Sequence, residues 1–550
     1  MFKRHYDYII IGGGSAGSVL ANRLSTNPEH RVLVLEAGLP DFKLDFRLHM
    51  PAALTYPLAG RTYNWWYESE PEPWMHNRRI YQPRGKVLGG SSCINGMIYI
   101  HGNAQDYEKW AKEPGLENWD FAHCLPYFQR FETRLKGADE YHGFSGPLFL
   151  TSPECDNPLF DAFFKAVQQA GYPLTKDVNG YQQEGFGPFD RTCYRGRRWN
   201  AARAYVHPVK NRSNLRVVCR AHATRILFKG DRAVGVEYTR GKKQFKVTGG
   251  EIICCGGAIN SPSLLQLSGI GNGDALKTLG IPVVQDLPGV GENLQDHLEV
   301  YVQYACKQPV SLYPALKAWR APMIGAQWLF QRKGIGASNH FEAGGFIRSN
   351  DQVSYPNLQY HFLPIAIRYD GSVAQGGHGY QVHVGPMNTD VRGTVKIDSA
   401  DPIVYPKVKF NYLSTEQERQ DWIDAIRVTR RIMTQPAFDE YRGDELAPGD
   451  KVQSDQEILD FVGHEGESAY HPSCTCKMGT DPTAVVDSEL RVHGLRNLRV
   501  VDASVMPYIT NGNIYAPVMM IAEKAADLIL GNTPLAPSAA PYHNPTGNPS

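Results

Sequence analysis

Residues 6–36 read YDYIIIGGGSAGSVLANRLSTNPEHRVLVLE, and this stretch decides the fold. A short apolar run, 6–11, has strand length and feeds directly into the glycines. Residues 18–25 carry Val19, Leu20 and Leu24 at helical spacing, and a second apolar run ends at Glu36. The order is strand, G-x-G-x-x-G, helix, strand, acid. Gly12 permits the tight turn, Gly14 lets a pyrophosphate approach the backbone, and Gly17 lets helix and strand pack closely. Ser15 and Ala16 lie between them, where the first N–H groups of the helix face an anion. Glu36 follows Gly17 by 19 residues, the place for a carboxylate that hydrogen-bonds an adenosine ribose. The motif predicts a dinucleotide site without choosing between FAD and NAD. The carboxylate disfavours a 2′-phosphate and so NADP.

The chain has 550 residues, room for more than one domain at roughly 100–200 residues each. Its 42% hydrophobic and 21% charged residues are those of an ordinary globular protein. A formal net charge of +1 gives no electrostatic case for nucleic acid or for an anionic membrane. No apolar run reaches the ~18 residues that span a bilayer. The apolar run near the start is too short for a signal peptide and leads straight into the glycine loop. The expected location is cytoplasmic, with peripheral attachment to the inner face of the cell membrane left open, and oligomeric state is not legible. The ten cysteines are scattered and form no disulfide framework, which suggests a reducing compartment. Cys474 and Cys476 have no second Cys/His pair at zinc spacing, so no metal is expected.

Residues 38–82 are rich in proline and aromatics, including Trp65 and Trp66, and are too long for a plain connection; a lid or cofactor cover is expected. Residues 84–107 hold two glycine-rich turns around Ser91 and Ser92, suited to close approach of a flat or charged ligand. Residues 106–135 look helical with a break at Pro114-Gly115. From 215 to 257 the pattern alternates as a β-meander inserted into the nucleotide domain, and a helix is expected to start near Ser261-Pro262. Strand-like runs over 298–412 predict an antiparallel sheet. Ser414 with Gln417, and Ser454 with Glu457, read as helix capping boxes. Residues 495–502 read as a buried strand and 514–530 as a closing helix. The tail 533–550 holds five prolines and is expected to be disordered.

The glycine loop, residues 84–107, GAINSPSLLQLSGIG (257–271), HPSCTCKMG (471–479) and VVDASVMP (500–507) stand in one order along the chain. Together they resemble the glucose–methanol–choline (GMC) oxidoreductases. The stretches NPLFDAFFKAVQQAGYP, NGYQQEGFGPFDRT, LPGVGENLQDHLE, PVSLYPAL and SNHFEAGGFIRS are similar to the bacterial choline-dehydrogenase branch of that family. The resemblance implies an α/β plus α+β architecture. A Rossmann-type FAD-binding domain with its inserted meander would occupy 1–155, 196–305 and 462–532. A substrate domain, an antiparallel sheet flanked by helices, would occupy 156–195 and 306–461. It also implies oxidation of choline to betaine aldehyde, with glycine betaine as a further product, and electrons passed to a quinone or other acceptor. Another primary alcohol is the alternative substrate.

By the same resemblance His471 and Asn513 are the catalytic pair, with Asn511 a neighbour in register. Glu342 would meet a trimethylammonium group, since a permanent cation entering a dry site needs a countercharge and aromatic faces. His361, Tyr470 and Trp65 are further substrate-site candidates. Gly89, Gly90 and Asn95 would lie near the flavin, Asp502 and Ala503 near the ribityl-pyrophosphate, and Ala223 near the adenine. Some choline oxidases tether FAD through a histidine in the 89–96 region; here Ile94 stands there, so non-covalent FAD is expected. Pro472-Ser473-Cys474 departs from the usual Cys-Gly after the proline, beside His471.

Overall fold

The structure is a computed structural model and describes residues 5–368 and 377–544. The first four residues of the expected FAD-binding domain, residues 369–376 of the span expected to form the antiparallel sheet and the end of the tail, 545–550, lie outside the described residues.

The nucleotide half grows from β1 (His5–Ile11), α1 (Ser15–Leu24) and β2 (Val32–Glu36), as the opening motif requires. Four more strands follow: β3 (Leu215–Cys219), β4 (His222–Lys229), β5 (Arg232–Arg240) and β6 (Lys243–Cys254). The sheet order is β3-β2-β1-β6-β5-β4, and the short strand Leu498–Val500 pairs with β6 as well. Pairing is parallel from β3 to β6 and antiparallel from β6 to β4. The expected meander is therefore corrected twice. β3 belongs to the parallel sheet beside β2, because its apolar residues continue that layer. The runs QFKVT and EIICC form one strand, whose first half pairs with β5 and whose second half pairs with β1. Ile9 and Ile10 are fully buried, as a central parallel strand covered on both faces demands.

Register sets the site. Ile11 sits beside Leu35 and Cys254, so the chain leaves β1, β2 and β6 at one edge. Ligands bind at that edge in such sheets. α2 (Gly257–Leu267) follows β6. It starts four residues before the expected point, with Pro262 inside it, because the Asp502 carboxylate accepts from Gly257 N–H at 2.8 Å and secures the first turn.

The second half is built on β7 (Leu298–Cys306), α3 (Ala321–Gln331), β8 (Ala343–Ile347), β9 (Leu358–Leu363), β10 (Gly379–Pro386), α4 (Glu416–Met433) and β11 (Arg442–Ala447). The antiparallel sheet runs β8-β9-β10-β7-β11, and Glu467–Ser468 pairs with the start of β7. Residues 298–305, expected in the FAD-binding domain, thus lie in this sheet. The helix expected at Ser414 is capped one residue later, by Thr415 accepting from Glu418 N–H. The Ser454–Glu457 capping box forms as expected. α5 (Tyr515–Leu530) is buried nearly all round and packs on α1, where Arg23 pairs with Glu523 at 2.9 Å.

Residues 533–544 carry neither helix nor strand, as their prolines dictate. They are nevertheless held: Ser538 N–H donates to Ala122 O and His543 N–H to Tyr181 O, both at 2.8 Å, and Tyr542 packs edge-on to Phe121. The expectation of disorder fails there because Leu535, Ala540 and Tyr542 supply apolar anchors. Among the described residues no helix is long and apolar enough to cross a membrane.

Candidate active site

A cavity of about 500 Å3 runs from the glycine loop to the antiparallel sheet. At one end it is walled by Gly12, Gly14, Ser15, Ala16 and Glu36; Ala223 lies beside them. Gly12 has φ +102°, and a Cβ there would stand 2.4 Å from Cys255 O, so only glycine makes the turn. Gly17 does not line the cavity; its Cβ would meet Gly12 O, which gives it the packing role read from the sequence. No side chain caps α1 at Gly14. Its first N–H groups therefore face the cavity without an intrahelical acceptor. The Glu36 carboxylate accepts from Gly13 N–H at 2.8 Å and Gly38 N–H at 2.6 Å. Burial pushes it up to about 7 against the pull of those two donors.

In the middle, Gly90, Asn95, Asp502 and Ala503 form the wall, together with Ile94. Gly90 has φ +57°, and its Cβ would stand 2.7 Å from Gly14 Cα, so two glycine turns approach at the narrowest point. Gly89 stands just behind, its N–H donating to Gly13 O at 2.7 Å. Asp502 does not present a free carboxylate: it accepts from Gly257 N–H, Ser261 Oγ and Ser504, and so shapes the wall. A flat, phosphate-bearing group fits these residues: uncapped helix N–H groups, a buried carboxylate at the ribose position and side-chain-free turns between them.

At the far end lie His471, Asn513, His361 and Tyr470, all in the wall. Trp65, expected with them, lines the nucleotide end instead: its ring is edge-on to His222, next to Ala223, and Lys86 Nζ lies 4.2 Å over it. His471 is held at three points. Its backbone N–H donates to Asp296 Oδ1 at 2.7 Å, its Nδ1 lies 3.0 Å from His297 Nδ1, and its Nε2 lies 3.1 Å from Asn513 Nδ2. The tautomers follow from the acceptor at the end of the chain. His297 Nε2 lies 3.1 Å from Met387 O, which can only accept. His297 therefore carries its proton on Nε2 and accepts at Nδ1. His471 donates from Nδ1 and keeps a lone pair on Nε2. Gln359 Nε2 donates to Asn513 Oδ1 at 3.1 Å, which turns the Asn513 amide N–H groups toward His471. Burial drives His471 well below its ordinary range, helped by the charges of His297, Arg84 and His361. Burial likewise lowers His297 and His361, each to about 4. Asn511, the register neighbour, is turned away: its amide donates to Pro356 O at 2.6 Å.

Glu342 is not in the wall; its carboxylate accepts from Ser338 Oγ and lies 3.3 Å from Arg191 Nη1. Its neighbour Phe341 faces the cavity instead, as alternation entering a strand requires. The carboxylate in the wall at this end is Glu299, on β7, 3.3 Å from His383 Nδ1. His361 Nδ1 is buried there without a hydrogen-bond partner among the described residues. Glu299 and His297 were missed, although both lie in the quoted stretch LPGVGENLQDHLE; the pairing of Glu299 with Glu467, and of His297 O with Ala469 N–H, brings them beside His471.

Family models described as GMC oxidoreductase match residues 6–299 and 389–522. The chain is 59% identical to an "oxygen-dependent choline dehydrogenase" of Pseudomonas savastanoi pv. phaseolicola, over 98% of this chain and 96% of the relative. It is 56% identical to one of Staphylococcus xylosus, over 98% of each. Among solved structures it is similar to a formate oxidase of Aspergillus oryzae RIB40, with TM-score 0.90, 25% identity and coverage of 96% of this chain and 99% of that one. It is also similar to pyridoxine 4-oxidase from Mesorbium loti, with TM-score 0.87, 32% identity and coverage of 96% and 100%. Matches to both halves of the family model, together with the glycine cradle and the cavity it opens into, place this chain in the GMC oxidoreductase family, whose members are FAD-dependent.

Proposed function

We propose that this protein oxidises choline to betaine aldehyde, with His471 as the base, Asn513 as its partner and Glu299 as the countercharge for the trimethylammonium group. The observation that carries the chemistry is the hydrogen-bond chain from Met387 O through His297 to His471, which aims the Nε2 lone pair at the cavity. FAD, when bound, accepts the hydride that leaves the alcohol carbon. The chain's own residues handle the proton and the charge. The hydroxyl takes the place that the Asn513 amide holds at the single lone pair of His471 Nε2, donates its O–H there, and His471 takes the proton as the carbonyl forms. Asn513 Nδ2, at the same locus, donates to the substrate oxygen as negative charge gathers on it. A neutral imidazole is what this step needs, and burial supplies it.

The cation is met by Glu299, with Phe341 and Tyr470 as aromatic surface. The relatives' names support choline as the substrate of this chain too. Ile94, buried in the wall, offers no side chain that could bond to a flavin, which supports non-covalent FAD. Electrons leave to a quinone or another acceptor. The test is anaerobic mixing of the FAD-loaded protein with choline and with the uncharged isostere 3,3-dimethylbutanol. Flavin bleaching by choline at far lower concentration supports the reading. Equal bleaching by both, or bleaching by simple alcohols alone, replaces it with oxidation of a neutral primary alcohol.

A further inference from the structure

α3 reads APMIGAQWLFQ and contains no charged residue. Only Trp328 of this helix is buried. Met323 is 64% exposed and Phe330 82%, and Trp319, just before the helix, is 66% exposed. A helix of this composition normally belongs in a core, and clustered exposed apolar side chains mark a contact surface. Trp328 is its anchor: the indole N–H donates to Gly196 O at 2.7 Å, and Arg332 lies over the ring at 4.2 Å. A second exposed apolar stretch adjoins it. The turn Ile335–Ala337 after α3 packs on Pro51–Ala53, and the loop just before that carries Phe42, Leu44 and Phe46 outward.

The charge around this face is one-sided. From residue 313 to 341 there is no Asp or Glu, while Lys317, Arg320, Arg332 and Lys333 lie in that span, and Asp45, the acid of the adjoining 42–46 loop, is paired with Arg47. The whole chain has a net charge of only +1, so the excess is local. This basic rim selects the occupant. A second copy meeting the face across a two-fold axis would set these cations against one another with no acid of α3 between them. An anionic lipid surface supplies the missing charge, and its interface accepts tryptophan, phenylalanine and methionine.

We propose that α3, with the adjoining 42–46 loop, docks this enzyme onto a membrane surface of anionic phospholipid. The helix lies in the plane of the interface with Met323, Leu329, Phe330 and Trp319 inserted, and its lysines and arginines rest on phosphate headgroups. The contact is independent of the chemistry in the cavity, since none of these side chains lines it.

The experiment is sedimentation of the FAD-loaded full chain with phosphatidylglycerol-containing vesicles and with pure phosphatidylcholine vesicles, beside the double variant Met323→Glu, Phe330→Glu. Choline-driven flavin reduction is followed on the same preparations to show that the variant is folded. The wild type is expected to sediment with the anionic vesicles and to be released by about 0.5 M salt. The variant is expected to bind at least about tenfold less, with flavin reduction unchanged. Wild type that stays in solution with both vesicles overturns the proposal. So does a variant that binds as well as wild type. Analytical ultracentrifugation provides the remaining arm: a wild-type dimer that the variant makes monomeric, without vesicle binding, assigns the face to a second copy and also overturns it.

Discussion

His297 and His471 face each other through their Nδ1 atoms at 3.0 Å, and His471 is the donor. The direction is imposed from outside the pair, by Met387 O on the far side of His297. His297 thus does for His471 what a carboxylate does for a catalytic histidine elsewhere, fixing tautomer and ring plane, but without adding negative charge. His297→Leu is expected to retain FAD and the KM for choline while slowing flavin reduction by ~10²-fold or more, since a wrong tautomer alone costs up to about 10⁴ in a related arrangement. Rapid-reaction reduction of the flavin checks this. A variant within about threefold of wild type would remove His297 from the mechanism.

Glu299 and Glu342 separate two accounts of cation recognition. Removing one partner of a buried charge pair costs about 2 kcal/mol or more, roughly 30-fold in KM at the low end. Glu299→Gln is expected to raise the KM for choline by that order and leave 3,3-dimethylbutanol little changed. Glu342→Gln removes the charge that Ser338 Oγ and Arg191 Nη1 donate to. It is expected to lower stability without changing the preference between the two alcohols. The opposite pattern would restore Glu342 as the substrate's partner.

The glycine cradle makes a prediction about the cofactor itself. Gly90→Ala would put a methyl group 2.7 Å from Gly14 Cα, at a φ of +57°. Purified Gly90→Ala protein is expected to hold well under half the flavin of wild type, read from the ratio of visible to ultraviolet absorbance. Acid precipitation of wild type is expected to leave all flavin in the supernatant, as Ile94 implies. Flavin that stays with the pellet would contradict non-covalent binding.

Away from the cavity, Glu132 is buried with His101 at 2.6 Å and His142 at 3.1 Å, and His142 also reaches Asp177 at 2.9 Å. Burial acts against charge on both partners, but the acids outweigh it at His142 and raise it to about 10. At Glu132 the His101 charge and the hydrogen bonds from both histidines outweigh burial and hold it at about 2. The raised histidine contributes stability in full below its unfolded value of about 6.5, and that contribution is lost as pH rises toward 10. The depressed acid contributes above about 4.5, and its share is lost as pH falls toward 2. The urea midpoint is therefore expected to fall between pH 7 and 10 in wild type. The fall should be shallower in His142→Gln. Parallel curves for the two proteins would show that the cluster does not set this dependence.

The parts legible in sequence were those whose signal is local. Gly12 to Glu36 spells its own structure within one strand–turn–helix–strand unit, and Ser454 with Glu457 caps its own helix. His471 and Asn513 were legible from a family motif, and their 3.1 Å contact brings together residues 42 apart. Glu299 and His297 were not, because their position beside His471 depends on pairing with residues 467–469, far along the chain. Glu342 stands behind the wall for a related reason. Entering a strand, one residue decides the face, so Phe341 lines the cavity and Glu342 pairs behind it. The tail illustrates the limit of composition: its prolines forbid helix and strand but do not prevent Tyr542 from docking on Phe121.

The most direct measurement is the rate of flavin bleaching when FAD-loaded wild type and His471→Ala are mixed anaerobically with choline. The account predicts rapid bleaching in wild type and a rate lower by roughly 10²–10⁴ in the variant, with FAD still bound. Bleaching of the variant at the wild-type rate would contradict it, because the lone pair that the His297–His471 chain aims at the cavity would then have no part in the reaction.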